Sequence, residues 1–266
     1  MRLRTSGLAG EGHVGVLPPR ITRRQVEVEG VRAQVLEAGE GPVLLLLASM
    51  LVRARSYLPL IRRLSAHFRV LTVELPGSGR SAPVRKPWTL AAHARWTARL
   101  MEQLRLERVL LVGHSNSGGV ALLLAARYGE RVERLVLADS IGARRERSIP
   151  RVVAARMVDA CFEWGLNLRA WWHILYNVLR HPRSFFHQVK VGCLAALLRW
   201  APRVRMPVLL AWGRRDHTMP LSCAERLRER LPRARVYVGA GSHDWLITDS
   251  REFTRAVLAF AGGPGV

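Results

Sequence analysis

The segment Val112-Gly113-His114-Ser115-Asn116-Ser117-Gly118-Gly119 decides the fold prediction. An apolar run at 108–112 precedes the turn and predicts a buried strand, and a second apolar segment at 118–128 predicts a helix. A sharp turn from strand to helix strains the serine backbone, needs small neighbours and exposes the hydroxyl at the carboxyl end of a sheet. The helix that follows offers free N–H groups and a dipole that favour negative charge. We therefore predict that Ser115 is a nucleophile.

Two alternatives stay open for this turn. The usual pattern G-x-S-x-G has glycine at the position of Ser117, so Ser117 is itself a candidate nucleophile in a shifted register. A plain turn or a phosphate-binding loop is the other alternative, although no Walker lysine follows and G-x-G-x-x-G is absent from this segment.

The rest of the chain alternates apolar strand patterns with helical spacing. Strands alternating with helices imply an α/β fold, a mostly parallel twisted sheet flanked by helices. The predicted strands cover 26–28, 31–36, 42–48, 68–75, 108–112, 132–138, 207–212 and 234–238, and the predicted helices cover 56–67, 89–104, 118–128, 221–231 and 245–260.

The alternation breaks once, and this sets the predicted domain boundaries. Residues 141–204 are rich in aromatic side chains with helical spacing and show no strand pattern, so we predict a helical lid inserted into a core formed by residues 25–140 and 205–262. Residues 1–24, rich in glycine and basic side chains, are predicted to be a disordered leader. They lack the apolar centre of a secretory signal, so a cytoplasmic location is the default expectation.

A serine hydroxyl needs a base, and a histidine base needs a carboxylate that fixes its tautomer. Two loops at the carboxyl ends of later predicted strands supply them: Asp216 follows the strand at 207–212, and His243 follows the strand at 234–238. Asp139, at the end of the strand at 132–138, is a second candidate for the acid. His114 is expected to pack in the turn, and His93 is expected on a helix surface. No His or Cys spacing predicts a metal site.

The composition limits the binding partners. The formal net charge is +22, with 42 Lys and Arg of which only Lys86 and Lys190 are lysine. Because the arginines are scattered along the chain, we favour a compositional bias over specific nucleic-acid binding and expect only weak attraction to acidic surfaces at low salt. The apolar stretches are too short to cross a bilayer. The cysteines, three in number, are expected to be buried.

Five segments together resemble the α/β-hydrolase fold family, over about residues 26–260. They are 42–50, 73–81 with Pro76-Gly77-Ser78-Gly79, the Ser115 turn, 213–216 and the His243 loop. The resemblance implies a triad of Ser115, Asp216 and His243, a helical lid and no cofactor. Relatives act on small molecules that include esters, thioesters, lactones, amides and C–C bonds, so the fold leaves the substrate open. A serine nucleophile argues against the epoxide and halide branches, which use aspartate.

The chain departs from the family in one segment. Relatives commonly carry His-Gly after the first long strand, whereas this chain has Ala48-Ser49 and then Met50. The resemblance implies that the backbone N–H groups of Met50 and Asn116 form the oxyanion hole. Without the glycine, this loop can adopt fewer backbone conformations, which could weaken the oxyanion hole. A non-catalytic ligand-binding protein is therefore the alternative.

The substrate prediction rests on the lid. Aromatic side chains at Trp164, Trp171, Trp172 and Phe185 are candidates to line a pocket, which favours a small to medium apolar carboxylic ester. A thioesterase, a C–C hydrolase and a perhydrolase would use the same triad. The oligomeric state is not predicted.

Overall fold

The computed structural model describes residues 20–165 and 168–262, except the side chains at 164, 169 and 170. Most of the predicted leader, residues 1–19, lies outside the described residues. Its predicted end is wrong, because β1 begins at Thr22 and residues 22–24 are already strand.

Eight strands form one sheet in the order β1-β2-β4-β3-β5-β6-β7-β8. The first two pair as an antiparallel hairpin and β2 pairs antiparallel with β4, while every later pairing is parallel. This confirms the predicted fold class. The strands are β1 Thr22–Val28, β2 Val31–Ala38, β3 Val43–Leu47, β4 Arg69–Val73, β5 Val109–His114, β6 Val132–Ala138, β7 Val208–Gly213 and β8 Ala234–Gly239.

The described residues contain nine α-helices. They are α1 Leu58–Leu64, α2 Leu90–Gln103, α3 Asn116–Arg127, α4 Ile149–Trp164, α5 Leu168–Arg180, α6 Pro182–Leu194, α7 Ser222–Arg228, α8 Trp245–Thr248 and α9 Ser250–Gly262. The single helix predicted over 245–260 is wrong in one respect. It breaks at Asp249, which has φ −116° and ψ 64°, so the segment forms two helices, α8 and α9, instead of one.

The core lies on both faces of the sheet, because successive strand side chains point to opposite sides. In β3, Leu45 and Leu47 pack with one cluster while Leu44 and Leu46 pack with the other. The first cluster includes side chains of α2, α3 and α7, and the second includes side chains of α1, α8 and α9. The parallel strands therefore bring the loops after β5, β7 and β8 to one edge of the sheet.

Helices α4, α5 and α6 fill the connection between β6 and β7, and no described residue from 141 to 204 belongs to a strand. The described side chains that are large, apolar and exposed all lie between residues 149 and 186. None of the described helices combines the length and the apolar character needed to cross a bilayer.

Two smaller expectations fail. Cys161 is exposed rather than buried, because it lies on the outer face of α4. His93 is buried rather than on the surface, since α2 presents it toward Trp88, whose ring centroid is 5.4 Å away.

Candidate active site

The turn between β5 and α3 has the geometry that its sequence predicts. Ser115 has φ 54° and ψ −121°, an unusual backbone conformation for a residue with a side chain. Gly113 permits the turn, because a Cβ at that position would lie 2.6 Å from the Ala121 Cβ and 2.7 Å from the Ser117 carbonyl oxygen. The backbone therefore holds the Ser115 side chain at the carboxyl end of β5, directly before the N-terminus of α3.

Ser117 has a different position and a different bond. Its side chain is buried, and its hydroxyl donates a hydrogen bond of 2.6 Å to the Ala48 carbonyl oxygen at the end of β3. The Ser117 hydroxyl, which a glycine would lack, thus connects the turn to the loop after β3. His243 lies against Ser115, so the geometry favours the register with Ser115 as the nucleophile.

Three predicted side chains form a hydrogen-bonded line. The Ser115 hydroxyl lies 3.0 Å from His243 Nε2, and His243 Nδ1 lies 2.8 Å from Asp216 Oδ2. All three residues are buried. The consistent proton arrangement has Nδ1–H donating to Asp216 and Nε2 accepting from Ser115, which leaves Nε2 ready to receive a proton.

Asp216 is held on both of its oxygens. Oδ1 accepts the Met219 N–H at 2.7 Å while Oδ2 faces His243. Burial raises the pKa of Asp216, whereas the His243 ring and the Met219 N–H act against that rise. Gly213, at the end of β7, permits the close approach of the two loops, because a Cβ there would lie 2.3 Å from the Ser242 carbonyl oxygen.

Asp139, the other predicted acid, does not contact the imidazole. Its Oδ1 accepts the Gly213 N–H at 2.8 Å and its Oδ2 accepts the Trp245 Nε1–H at 2.8 Å. Burial and the neighbouring Asp216 raise its pKa well above the usual carboxyl range. Asp139 thus connects the ends of β6 and β7 to the start of α8, and Asp216 is the carboxylate that the structure brings to His243.

The loop after β3 is organised by hydrogen bonds in place of the missing glycine. The Ser49 N–H donates to the Tyr57 hydroxyl at 3.0 Å, and that hydroxyl lies 2.6 Å from His114 Nδ1. His114 Nε2 lies 3.1 Å from the His243 carbonyl oxygen, so the ring carries its proton on Nε2 and Tyr57 donates to Nδ1. Burial lowers the pKa of His114 to about 3, which keeps this bridging ring neutral.

The two residues whose N–H groups are predicted to form the oxyanion hole lie in the loop after β3 and at the start of α3. Met50 follows Ser49 in the β3 loop, and Asn116 is the first residue of α3. The Asn116 side chain connects the site to the inserted helices, because its Nδ2 donates to the Gln188 carbonyl oxygen at 2.7 Å. Its Oδ1 lies 3.3 Å from the Ser115 hydroxyl.

Helix α4 carries a buried carboxylate, Asp159, that was not predicted from the sequence. Asp159 accepts hydrogen bonds from the backbone N–H groups of His217 and Thr218, from His217 Nδ1 at 2.7 Å and from the Thr218 hydroxyl at 2.7 Å. These bonds fix the loop that carries Asp216. A signal was available, because an acid within an otherwise apolar helical segment is rarely buried without partners.

Two further α4 residues contact the histidine loop. Arg156 Nη2 lies 2.5 Å from Asp244 Oδ2, and Glu163 accepts a hydrogen bond from the Asp244 backbone N–H. Burial opposes ionisation of Asp244, yet Arg156 holds its pKa below the usual carboxyl range, and burial raises the pKa of Glu163 to about 9. Arg156, Asp159 and Glu163 recur at spacings of three and four residues and so share one face of α4.

The predicted aromatic pocket residues are spread over the inserted helices. Trp171 is partly buried and its Nε1–H donates to the Gly165 carbonyl oxygen at 2.9 Å. Trp172 is exposed and lines an open pocket beside Arg53. Phe185 is partly buried and packs edge-on against Phe186. The Trp164 side chain lies outside the described part.

One group of described side chains has donor atoms close enough for a metal ion: His114, His243 and Asp244. These atoms already have protein partners, because His114 lies between Tyr57 and the His243 carbonyl oxygen and Asp244 pairs with Arg156. We assign no metal to the group.

Comparison with known proteins identifies the relatives of the chain. A family model described as the alpha/beta hydrolase fold matches residues 42–199. RutD of Caulobacter sp. (strain K31), provisionally named a carbamate hydrolase, is 30% identical over 77% of this chain and 85% of its own length. The pimeloyl-[acyl-carrier protein] methyl ester esterase of Vibrio vulnificus (strain YJ016) is 25% identical over 84% of this chain and 96% of its own length.

Solved structures agree on the fold. The enol-lactonase from Burkholderia xenovorans LB400 superposes with a TM-score of 0.75 at 24% identity, and the match covers 90% of this chain and 100% of the lactonase chain. The bromoperoxidase from Bacillus anthracis superposes with a TM-score of 0.80 at 19% identity, covering 91% of this chain and 100% of the peroxidase chain.

Proposed function

Because the chain belongs to the α/β-hydrolase fold family, we propose that it is a serine hydrolase that cleaves a small to medium apolar carboxylic ester. The observation that carries the proposal is the line from the Ser115 hydroxyl to His243 Nε2 at 3.0 Å and from His243 Nδ1 to Asp216 at 2.8 Å. A nucleophile, a base and an orienting acid within hydrogen-bond reach are what acyl transfer requires.

The reaction begins at the serine. Ser115 Oγ attacks the ester carbonyl carbon while His243 Nε2 takes its proton, and Asp216 stabilises the imidazolium that forms. His243 then gives that proton to the departing alcohol oxygen, which leaves an acyl group on Ser115. A water molecule, deprotonated by His243, hydrolyses this acyl-enzyme and releases the carboxylic acid.

The negative charge that develops on the carbonyl oxygen needs fixed donors. The N–H groups of Met50 and Asn116 serve this role in the proposed mechanism, at the start of α3 where the helix dipole adds to the stabilisation. The links Ser49–Tyr57 and Ser117–Ala48 support it, because they brace the β3 loop without the usual glycine. This bracing argues against the non-catalytic alternative.

We assign residues 141–204 the role of a lid over this site. The support is the contact of α4 and α6 with the loops of all three proposed catalytic residues, through Asp159, Arg156, Glu163 and Gln188. Such contacts let an inserted helical layer exclude water from the reacting groups. The apolar ester remains an inference from the aromatic content of this segment.

The test of the nucleophile is labelling by a fluorophosphonate probe followed by peptide mass spectrometry. We expect the adduct on Ser115 in the wild type and none in Ser115→Ala. Ser117→Ala is the matched control, since it removes a neighbouring hydroxyl and should still be labelled at position 115. A label on Ser117, or an unlabelled wild type, would contradict the proposal.

The test of the substrate is a series of p-nitrophenyl acyl esters from acetate to dodecanoate, with the matching thioesters run in parallel. We expect turnover that peaks at short to medium chains and disappears in Ser115→Ala. A clear preference for thioesters at equal chain length would replace the ester by that alternative while keeping the triad.

A further inference from the structure

Arg53 is a buried arginine that has no ion-pair partner among the described residues. It lies in the loop between β3 and α1 and is only 6% exposed. Its Nε has no hydrogen-bond partner among the described residues. None of the ion pairs formed by the described residues includes it. Burying an unpaired charge is costly, so an uncompensated guanidinium at this depth calls for an anion.

The protein's own groups compensate Arg53 only in part. The guanidinium lies over the Tyr176 ring, with 4.3 Å from Cζ to the ring centroid, which is a cation–π contact that carries no negative charge. The acid whose charge acts on Arg53 is Glu74, but its two oxygens accept the backbone N–H groups of Ala54 at 2.7 Å and Arg80 at 2.6 Å. Glu74 therefore serves the turn around it rather than forming a direct pair with Arg53.

Arg53 lines an open pocket of about 580 Å³ between the β3–α1 connection and α5. The pocket is lined by polar side chains, those of Arg53, Arg55 and His173, and by apolar side chains, those of Leu58, Leu168 and Trp172. Leu168 is 82% exposed and Trp172 is 54% exposed, so these apolar side chains are not covered by the described part of the chain.

The charged side chains among the described residues that line the pocket, Arg53 and Arg55, are both positive. His173 is fixed by a hydrogen bond of 2.5 Å between its Nδ1 and the Ser56 hydroxyl. Burial, together with Arg53 and Arg55, lowers the pKa of His173 to about 4, so the ring stays neutral beside two guanidinium groups. No described acid lines this pocket. A ligand that enters it therefore meets both cationic and apolar side chains.

We propose that this pocket binds a carboxylate that carries an apolar chain, with the carboxylate on Arg53 and Arg55 and the chain against Leu58, Trp172 and Leu168. A planar carboxylate matches the paired donors of a guanidinium, and a volume of this order suits a small amphipathic molecule. The chain would also cover apolar surface that is otherwise in contact with water.

The experiment measures binding of octanoate to the full chain by isothermal titration calorimetry, in the Ser115→Ala background so that no ester chemistry contributes. We expect Arg53→Met to weaken octanoate binding by at least about tenfold, the loss typical of one charge-assisted hydrogen-bond pair. Arg62→Met is the matched control, because Arg62 is an exposed arginine on α1 outside the pocket, and its octanoate affinity should equal that of the parent.

Two probes separate the two parts of the ligand. Acetate has the charge without the chain and octanol has the chain without the charge, and each should bind at least about tenfold more weakly than octanoate. Leu168→Ser tests the chain end independently of folding, since that side chain is mostly exposed, and should weaken octanoate while leaving acetate unchanged.

The proposal is overturned if octanoate does not bind the parent protein, or if Arg53→Met, still folded by near-ultraviolet circular dichroism, binds it as tightly. Equal affinity for octanoate and inorganic phosphate would also overturn it, because it would show an anion site without selectivity for a chain. If Arg53→Met fails to fold, the Leu168→Ser result decides in the same way. Since binding is measured without Ser115, failure here is distinct from failure of the proposed hydrolase activity.

Discussion

Replacing Asp216 with asparagine exchanges one oxygen for an amide nitrogen at nearly constant size. The Met219 N–H donates to one Asp216 oxygen at 2.7 Å, so the amide oxygen stays at that position and the amide nitrogen faces His243 Nδ1. That nitrogen is a donor, so Nδ1 must become the acceptor and the ring proton moves to Nε2. A protonated Nε2 cannot take the Ser115 proton, which blocks the first step.

The expected size follows from this reversal of the tautomer. The same exchange in the Ser-His-Asp triad of serine proteases lowers kcat by about 10⁴, which is about 5.4 kcal/mol of transition-state stabilisation at 1.36 kcal/mol per factor of ten. We expect a comparable loss for Asp216→Asn. The free energy of unfolding should change little, because the variant keeps the Met219 bond and no longer buries a carboxylate whose pKa burial has raised.

Asp139→Asn is the matched control. Both Asp139 oxygens accept N–H donors, from Gly213 and from Trp245, so an amide nitrogen must face one of these donors. The variant should lose about 1–3 kcal/mol of unfolding free energy, while the kcat of its folded fraction stays near that of the wild type. Both variants thus alter a buried acid at the same sheet edge, but Asp216→Asn should lower kcat whereas Asp139→Asn should lower the free energy of unfolding.

The assay combines p-nitrophenyl ester turnover with urea unfolding monitored by tryptophan fluorescence, which corrects each kcat for the folded fraction. If Asp139→Asn loses as much kcat as Asp216→Asn, or if Asp216→Asn keeps most of its activity, the assignment of the acid is wrong.

The remaining predictions concern the supports of the site. Gly113→Ala should prevent folding or strongly lower the thermal midpoint, since its Cβ would lie 2.6 Å from a neighbouring Cβ; a midpoint within a degree or two of the wild type would contradict the packing argument. Tyr57→Phe should keep the fold but lower kcat with little change in KM, because the Ser49 N–H loses its acceptor beside the oxyanion donors; a purely raised KM would count against that role. Asp159→Ala should lose about 3 kcal/mol in urea unfolding, because several buried donors lose their acceptor; an unchanged midpoint would refute this. Glu163, whose pKa burial raises to about 9, is protonated when folded at neutral pH. Its contribution to the free energy of unfolding is complete below the ordinary carboxyl pKa and is lost as pH rises through about 9. Glu163→Gln should therefore become more stable relative to the wild type over that window in pH-dependent unfolding, and parallel stability curves of the two proteins would contradict the raised pKa.

Short-range patterns of the sequence were sufficient for the elements that carry the site. The run of apolar residues in β3 and β5 and the small residues around Ser115 are local signals, because strand burial and a tight turn each impose their requirement on neighbouring residues. The register of the turn stayed open between Ser115 and Ser117, and the structure favours Ser115, since the strand at 109–114 ends directly before it.

Local patterns failed where a neighbour distant in sequence decides the outcome. The break of the last helix at Asp249 and the burial of His93 depend on which surface each element meets, and that surface is not encoded at their own positions. The connections of Asp159 to the Asp216 loop and of Tyr57 to His114 join residues separated by 59 and 57 positions. An acid within an apolar helical segment indicates that it has partners, but its own position does not indicate which residues they are.

The sequence by itself determined the succession of strands and helices along the chain, the strained serine turn and the set of candidate acids and bases, because each depends on residues within a few positions of one another. Only the tertiary structure decided that Asp216 rather than Asp139 faces His243 and that Arg53 is buried without an ion-pair partner among the described residues. Distances between side chains on different strands and helices depend on how the sheet twists and how the layers pack, and those quantities arise from the whole chain at once.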